Sequence, residues 1–79
     1  MKGEPSNAMR AAWAVEALQT FADATWCGQD VDQMHPDDLR DCISDLMCDL
    51  MHLAKSRRLN VDDIVARAAS NFEDERSGR

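Results

Sequence analysis

The fold is decided by residues 36–57, which read PDDLRDCISDLMCDLMHLAKSR. Large apolar residues recur in this stretch every three or four positions, the spacing that places side chains on one face of an α-helix. Pro36 suits the first turn, where its missing N–H costs no hydrogen bond, and the two aspartates that follow lie at the positive end of the helix dipole. His35 is expected to help cap the same end. The stretch therefore predicts a helix over residues 36–57, about 30 Å long.

A second helix is predicted before this one, over about residues 8–26. Ser6 or Asn7 can cap its start by accepting a hydrogen bond from a first-turn amide. Gly28 is expected to end it, because glycine readily adopts the left-handed conformation that follows many helices. No stretch of the chain alternates with the period of two that is typical of a strand.

A third helix is predicted over about residues 61–73, after Asn60, which is a favourable capping residue. The chain has 79 residues, a length that supports a single core and therefore one domain. We expect an all-α fold, a small bundle of three helices in one domain over residues 1–79. The charged ends, residues 1–6 and 74–79, are expected to be flexible.

Composition narrows the classes of function. Fifteen acidic and nine basic side chains give a net charge of −6, which argues against direct nucleic-acid binding, since phosphates are bound by clustered Lys and Arg. The longest apolar run, residues 11–15, is too short to span a bilayer, and the first residues lack the apolar core of a secretory signal. Three cysteines without CxxC spacing are typical of reduced thiols. We therefore expect a cytoplasmic protein that does not enter a membrane.

The predicted helices have more apolar surface than one neighbouring helix would cover. Met47 and Met51 widen the leucine and isoleucine face of the central helix, and Met9 and Trp13 widen the first helix in the same way. On a chain too short for a large core, such a surplus favours burial against a second copy. We expect a homo-oligomer with these four residues at its interface. The alternative is that the flanking helices cover the central helix completely.

Acidic side chains form a stripe along the central helix. Asp41, Asp45 and Asp49 are four residues apart, so they stack along one face together with Asp38 and His52. Oxygen ligands at this spacing suit a hard cation such as Mg²⁺. The alternative is a solvated acidic face. Asp41, Asp45 and Asp49 are therefore the candidate metal ligands, and no catalytic residue is predicted, because no complete catalytic set accompanies them.

Three short segments carry a resemblance to a known family: DCISDLM at residues 41–47, HLA at 52–54 and LNVDDI at 59–64. Through them, residues 41–72 resemble the second half of the MazG-like all-α nucleoside triphosphate pyrophosphohydrolases. Asp45 falls on the metal-binding aspartate of that family. The resemblance implies an oligomeric helical bundle, Mg²⁺ as a cofactor and a nucleotide as the substrate.

The chain also departs from that family's pattern. The first acidic motif, an ExxE pair on an earlier helix, has no counterpart, since the first predicted helix offers only Glu16 and Asp23, seven residues apart. Cys42 stands where the acidic partner of Asp45 is expected. Two of the three ligand-bearing elements are thus missing or altered, and a shared fold does not fix a shared chemistry.

Three interpretations follow from these observations. The first is a non-enzymatic module that self-associates, binds a protein partner and needs no cofactor. The second is a Mg²⁺-dependent MazG-like nucleotide pyrophosphohydrolase with Asp41, Asp45 and Asp49 as ligands. The third is an acidic inhibitor or nucleic-acid mimic that docks on a basic surface through the aspartates.

Overall fold

The computed structural model describes residues 5–78. Helix α1 spans Asn7–Thr25, a short 3-10 turn spans Val31–Gln33, α2 spans Pro36–Ser56 and α3 spans Val61–Arg76. The described residues include no strand. The predicted all-α fold with three helices is therefore confirmed, and α2 and α3 begin at the predicted residues.

Side-chain caps fix the starts of these helices. The Ser6 hydroxyl accepts a hydrogen bond from the Met9 N–H at 3.1 Å at the start of α1. Before α2, Nδ1 of His35 accepts one from the Asp37 N–H at 3.1 Å. These contacts satisfy first-turn amides that have no partner within the helix. The predicted capping roles of Ser6 and His35 are confirmed.

The start of α3 follows the same rule. The Asn60 side-chain oxygen accepts a hydrogen bond from the Asp63 N–H at 2.9 Å. Asn60 itself is extended, as capping residues usually are. The predicted cap of α3 is therefore confirmed.

α3 is longer than the apolar pattern predicts. No large apolar residue follows Phe72, yet the helix continues to Arg76. Nη2 of Arg76 donates to the Glu73 carboxylate at 2.7 Å, and the Ser77 hydroxyl donates to the Glu73 carbonyl at 2.8 Å. Such local charge pairing and capping extend a helix beyond its apolar stripe, so the predicted end at residue 73 was three residues short.

Parts of the ends predicted to be flexible lie outside the described residues, namely 1–4 and 79. Residues 74–76 form the last turn of α3. The flexibility of both ends stays a prediction.

α1 ends in a left-handed turn that begins one residue earlier than predicted. Cys27 has a φ of 56° and Gly28 a φ of 72°, so the cysteine is the first left-handed residue after the helix. The Gly28 N–H donates to the Ala22 carbonyl at 3.1 Å, a hydrogen bond that closes the end of the helix and reaches one residue further back than that of a Schellman motif. The glycine still contributes its conformational freedom, but as the second residue of the turn.

α2 also ends at a left-handed residue, but without any glycine. Arg58 has a φ of 61°, and the Leu59 N–H donates to the Ala54 carbonyl at 2.9 Å. A residue with a Cβ is strained in this conformation by about 1 kcal/mol. The hydrogen-bonded turn holds Arg58 there.

The chain forms two compact units, one ending at Cys48 and the other beginning at Asp49. The division falls inside α2, which is itself one continuous helix. The single domain expected over residues 1–79 stays a prediction, and the two units are described separately.

The first unit has a core built from three elements. Its buried members come from α1, the 3-10 turn and α2, and are Leu18, Ala22, Val31 and Cys42. Partly buried side chains pack around them: Phe21, Trp26, Met34, Leu39 and Leu46. In the second unit Ala54 is buried, and α3 has no buried residue among those described.

Candidate interaction surface

Gln19 holds the loop between α1 and α2 in the first unit. Its side-chain oxygen accepts a hydrogen bond from the Val31 N–H at 3.0 Å, and its amide nitrogen donates to the Gln29 carbonyl at 2.8 Å. The same nitrogen donates to the Asp23 carboxylate at 3.1 Å. The partly buried backbone of the loop is thereby satisfied by one side chain, which positions Val31 in the core.

A second contact joins the end of α1 to α2. The Trp26 indole N–H donates to the Asp45 carboxylate at 3.2 Å, while Trp26 also packs against the core. Together with the loop, this contact determines which side of α2 the core covers. Cys42 is completely buried on that side, and Leu39 and Leu46 lie partly buried beside it.

The adjacent side of α2 is apolar and uncovered. Four large side chains lie there within an arc of about 100° on the helix, and they are 43% to 57% exposed: Ile43, Met47, Leu50 and Met51. We call this set the α2 stripe. Two predicted interface residues, Met47 and Met51, belong to it. The surplus apolar width expected from the sequence is therefore present on α2.

The carboxylates of α2 lie on the opposite side of the helix. At 100° per residue, they are about 130–170° round from the centre of the α2 stripe: Asp38, Asp41, Asp45 and Asp49. All four are exposed. α2 therefore separates a water-facing acidic side from an apolar side whose large side chains are about half exposed.

Met9 and Trp13 form a separate apolar patch on α1. They lie one turn apart, and Trp13 is 53% exposed. Trp13 is nine residues before Ala22, which places the two on opposite sides of the helix. The core of the first unit therefore does not use these residues, which were predicted to lie at an interface.

The second unit exposes most of its large apolar residues. Besides the two that belong to the α2 stripe, they are Leu53, Leu59, Ile64, Val65 and Phe72. Phe72 is 60% exposed. A soluble monomer normally covers side chains of this size where they are clustered. The second unit therefore exposes more apolar surface than is usual for such a monomer.

The predicted metal ligands are distributed along the acidic side of α2. Asp41 accepts a hydrogen bond from Nε of Arg40 at 3.3 Å, and Asp45 accepts the one from Trp26. Among residues 5–78, no three His, Cys, Asp or Glu side chains converge closely enough to hold a metal ion. The assignment of Asp41, Asp45 and Asp49 as ligands stays a prediction.

The three cysteines differ in environment. Cys27 and Cys48 are exposed, Cys42 is buried, and all three are free thiols. Burial raises the pKa of the Cys42 thiol, and the negative charge of nearby Asp45 raises it further. Cys42 therefore stays neutral and acts as a small apolar residue of the core.

Comparisons of the chain with family profiles, curated proteins and solved structures gave no match. The resemblance of residues 41–72 to the MazG-like family therefore stays a prediction. Over the described residues, no helix is both long and apolar enough to cross a membrane.

Proposed function

We propose that this protein is a non-enzymatic interaction module that self-associates through the exposed apolar side of α2 and binds a protein partner. The observation that carries the proposal is the α2 stripe, a continuous set of large apolar side chains without an interleaved charge. Fully burying one such side chain is worth about 1.5–3 kcal/mol. The four side chains are already about half covered, so burying the rest of each against a partner contributes part of that value per residue and favours association.

The composition of the stripe supports a protein as the partner. Two of its four members are methionines, whose flexible side chains fit irregular apolar surfaces. The opposite side of α2 is acidic and exposed, which keeps the helix soluble while the stripe is occupied. A reducing, cytosolic setting fits the three free thiols.

Sedimentation velocity tests the proposal over a range from about 1 μM to about 500 μM protein. We expect the wild-type chain to change from monomer to a larger species as its concentration rises. The variant Met47→Gln/Met51→Gln removes apolar surface with little change in helix propensity, and it should raise the dissociation constant at least about tenfold. The matched control is His52→Gln, an exposed change on the acidic side of the same helix, which should leave assembly unchanged.

Two results would contradict the proposal. One is a wild-type chain that stays monomeric over the whole range. The other is a double variant that assembles as well as the control. The pair Met9→Gln and Trp13→Gln, measured in the same way, shows whether the α1 patch takes part.

Thermal unfolding in EDTA and then in Mg²⁺ separates this proposal from the pyrophosphohydrolase interpretation. A ligand that binds only the folded chain raises its unfolding midpoint. We expect no shift with Mg²⁺. A rise that disappears in Asp45→Asn would instead favour a metal site at the aspartates.

A further inference from the structure

Charge is distributed unevenly along α2 and the turn after it. The half before Met47 has four aspartates and one arginine, at positions 37, 38, 41, 45 and 40. The half after Met47 has one aspartate at position 49 and three basic residues: Lys55, Arg57 and Arg58. All of these residues are exposed. The first half of the element is therefore negative and its end is positive.

This asymmetry of charge makes α2 and the turn after it complementary to a reversed copy of the same segment. In a parallel pair, negative halves would lie beside each other and so would the positive ends. In an antiparallel pair, each negative half lies level with a positive end, with Asp37 beside the stripe and the other three aspartates on the far side of the helix. The two helix dipoles also oppose each other favourably. Charge complementarity therefore selects the antiparallel arrangement.

The position of the α2 stripe permits the same arrangement. The stripe runs from Ile43 to Met51, about 12 Å along the axis, with Met47 at its middle. Met47 is also near the middle of α2, which spans Pro36–Ser56. A two-fold axis near Met47 thus brings the two stripes into register without leaving either one uncovered.

Asp37 and Lys55 are placed so that an antiparallel dimer would bring them into contact. Asp37 and Lys55 are eighteen residues apart, about five turns, so they lie on the same edge of α2, beside the stripe. Reversal about the middle of the helix brings Asp37 of one copy level with Lys55 of the other. Asp37 is 71% exposed, and its contacts with Arg40 at 3.7 Å and with Nδ1 of His35 at 3.8 Å are long surface contacts. They leave the carboxylate able to bind a further cation.

We propose that a second copy of this chain occupies the α2 stripe, with the two α2 helices antiparallel about a two-fold axis near Met47 and with Asp37 of each facing Lys55 of the other. This inference rests on the proposed self-association and specifies its geometry. The dimer has two identical charge contacts, one at each end of the paired helices.

A charge-reversal cycle tests the orientation. Asp37→Lys and Lys55→Asp each replace both attractive contacts by repulsive ones and should weaken the dimer about five- to tenfold. The combined variant Asp37→Lys/Lys55→Asp restores attraction and should recover most of the wild-type affinity. Circular dichroism of each variant, measured as a monomer, separates a loss of helix from a loss of pairing. If the combined variant keeps its helix content but does not recover the wild-type affinity, the proposed antiparallel contact is overturned.

Thiol cross-linking provides a direct second test, in a Cys27→Ser/Cys48→Ser background under mild oxidation. The antiparallel dimer predicts cross-links in a mixture of Asp37→Cys and Lys55→Cys chains, and none when either variant is alone. A parallel dimer would cross-link each variant with itself and would overturn the inference. A wild-type chain that never dimerises would overturn the proposed function as well, so the two failures are distinguishable.

Discussion

The two compact units of this chain are both helical, yet they differ in what surrounds their apolar side chains. In the first unit, α1, the 3-10 turn and α2 bury Leu18, Val31 and Cys42 together. In the second unit, α3 has no buried residue in the described part of the chain, and Phe72 is 60% exposed. The comparison shows that helix formation and burial are separate outcomes, since the former depends on local contacts and the latter requires a second surface.

Local contacts account for α3. The Asn60 cap holds its first turn, and Nε of Arg67 donates to the Asp63 carboxylate at 2.9 Å one turn further on. Arg76 and Glu73 form a similar pair at the other end. Such pairs contribute only about 0.2–0.5 kcal/mol each in a helix, so the second unit should gain most of its stability from whatever covers its apolar residues.

The largest difference between the units is expected from leucine truncation. Leu18→Ala removes a buried side chain of the first unit and should lower the free energy of unfolding by about 3 kcal/mol at any protein concentration. Leu50→Ala, the matched change at an exposed position, should cost less than about 1 kcal/mol in the monomer and more as the concentration rises. Urea unfolding followed by circular dichroism measures both. Equal losses in dilute solution would contradict the comparison.

Thiol reactivity should divide the cysteines by environment. Exposed Cys27 and Cys48 should react with an aromatic disulfide reagent at neutral pH, and buried Cys42 should react about a hundredfold more slowly, because it must first be uncovered.

The raised pKa of Cys42 also has a consequence for stability. Because the unfolded chain loses the thiol proton at lower pH than the folded chain does, this group should lower stability as the pH rises above the ordinary thiol range. Cys42→Ala should remove this contribution to the loss of stability at alkaline pH. In the labelling experiment with the disulfide reagent, rapid reaction of all three thiols in the folded protein would instead show that the core is not closed.

Gln19 provides a smaller and more local test of the first unit. Gln19→Ala removes all three of its hydrogen bonds and leaves the Val31 N–H without its acceptor, so it should lower the free energy of unfolding by about 1–2 kcal/mol. The control is Gln33→Ala, at an exposed position of the same loop, which should have little effect. If both variants unfold at the same urea concentration, Gln19 does not hold the loop.

The smallest effects on stability are expected at the two residues with positive φ that follow α1 and α2. Arg58→Gly in the second unit and Cys27→Gly in the first should each stabilise the chain by about 0.5–1 kcal/mol, because glycine is unstrained at positive φ. Arg57→Gly, one residue before the left-handed position, should instead destabilise it. Thermal unfolding of the three variants gives the signs. Destabilisation by Arg58→Gly would mean that its side chain has a role that the turn does not explain.

Local sequence signals predicted the helices because each start has its own chemical cause. Pro36, Ser6 and Asn60 act within one turn of themselves, so no tertiary information is needed to place them. The end of α3 was missed because it depends on the contacts of Glu73 with Arg76 and Ser77, which an apolar pattern does not register.

The candidate surface was predictable only in part. Periodicity placed Met47 and Met51 beside the leucine face of α2, and the structure shows them exposed. It did not indicate that Cys42 would be buried and Ile43 exposed, although both border the same apolar arc. That choice depends on the loop held by Gln19 and on the contact between Trp26 and Asp45, which join residues far apart in the sequence.

Amide hydrogen exchange at two protein concentrations tests the central claim most directly. The account predicts that amides of α1 are protected equally at both concentrations, because the first unit has its own core. Amides of α2 along the stripe, from Ile43 to Met51, should become markedly more protected at the higher concentration, because a second copy covers them. Protection of these α2 amides that is the same at both concentrations would contradict the account.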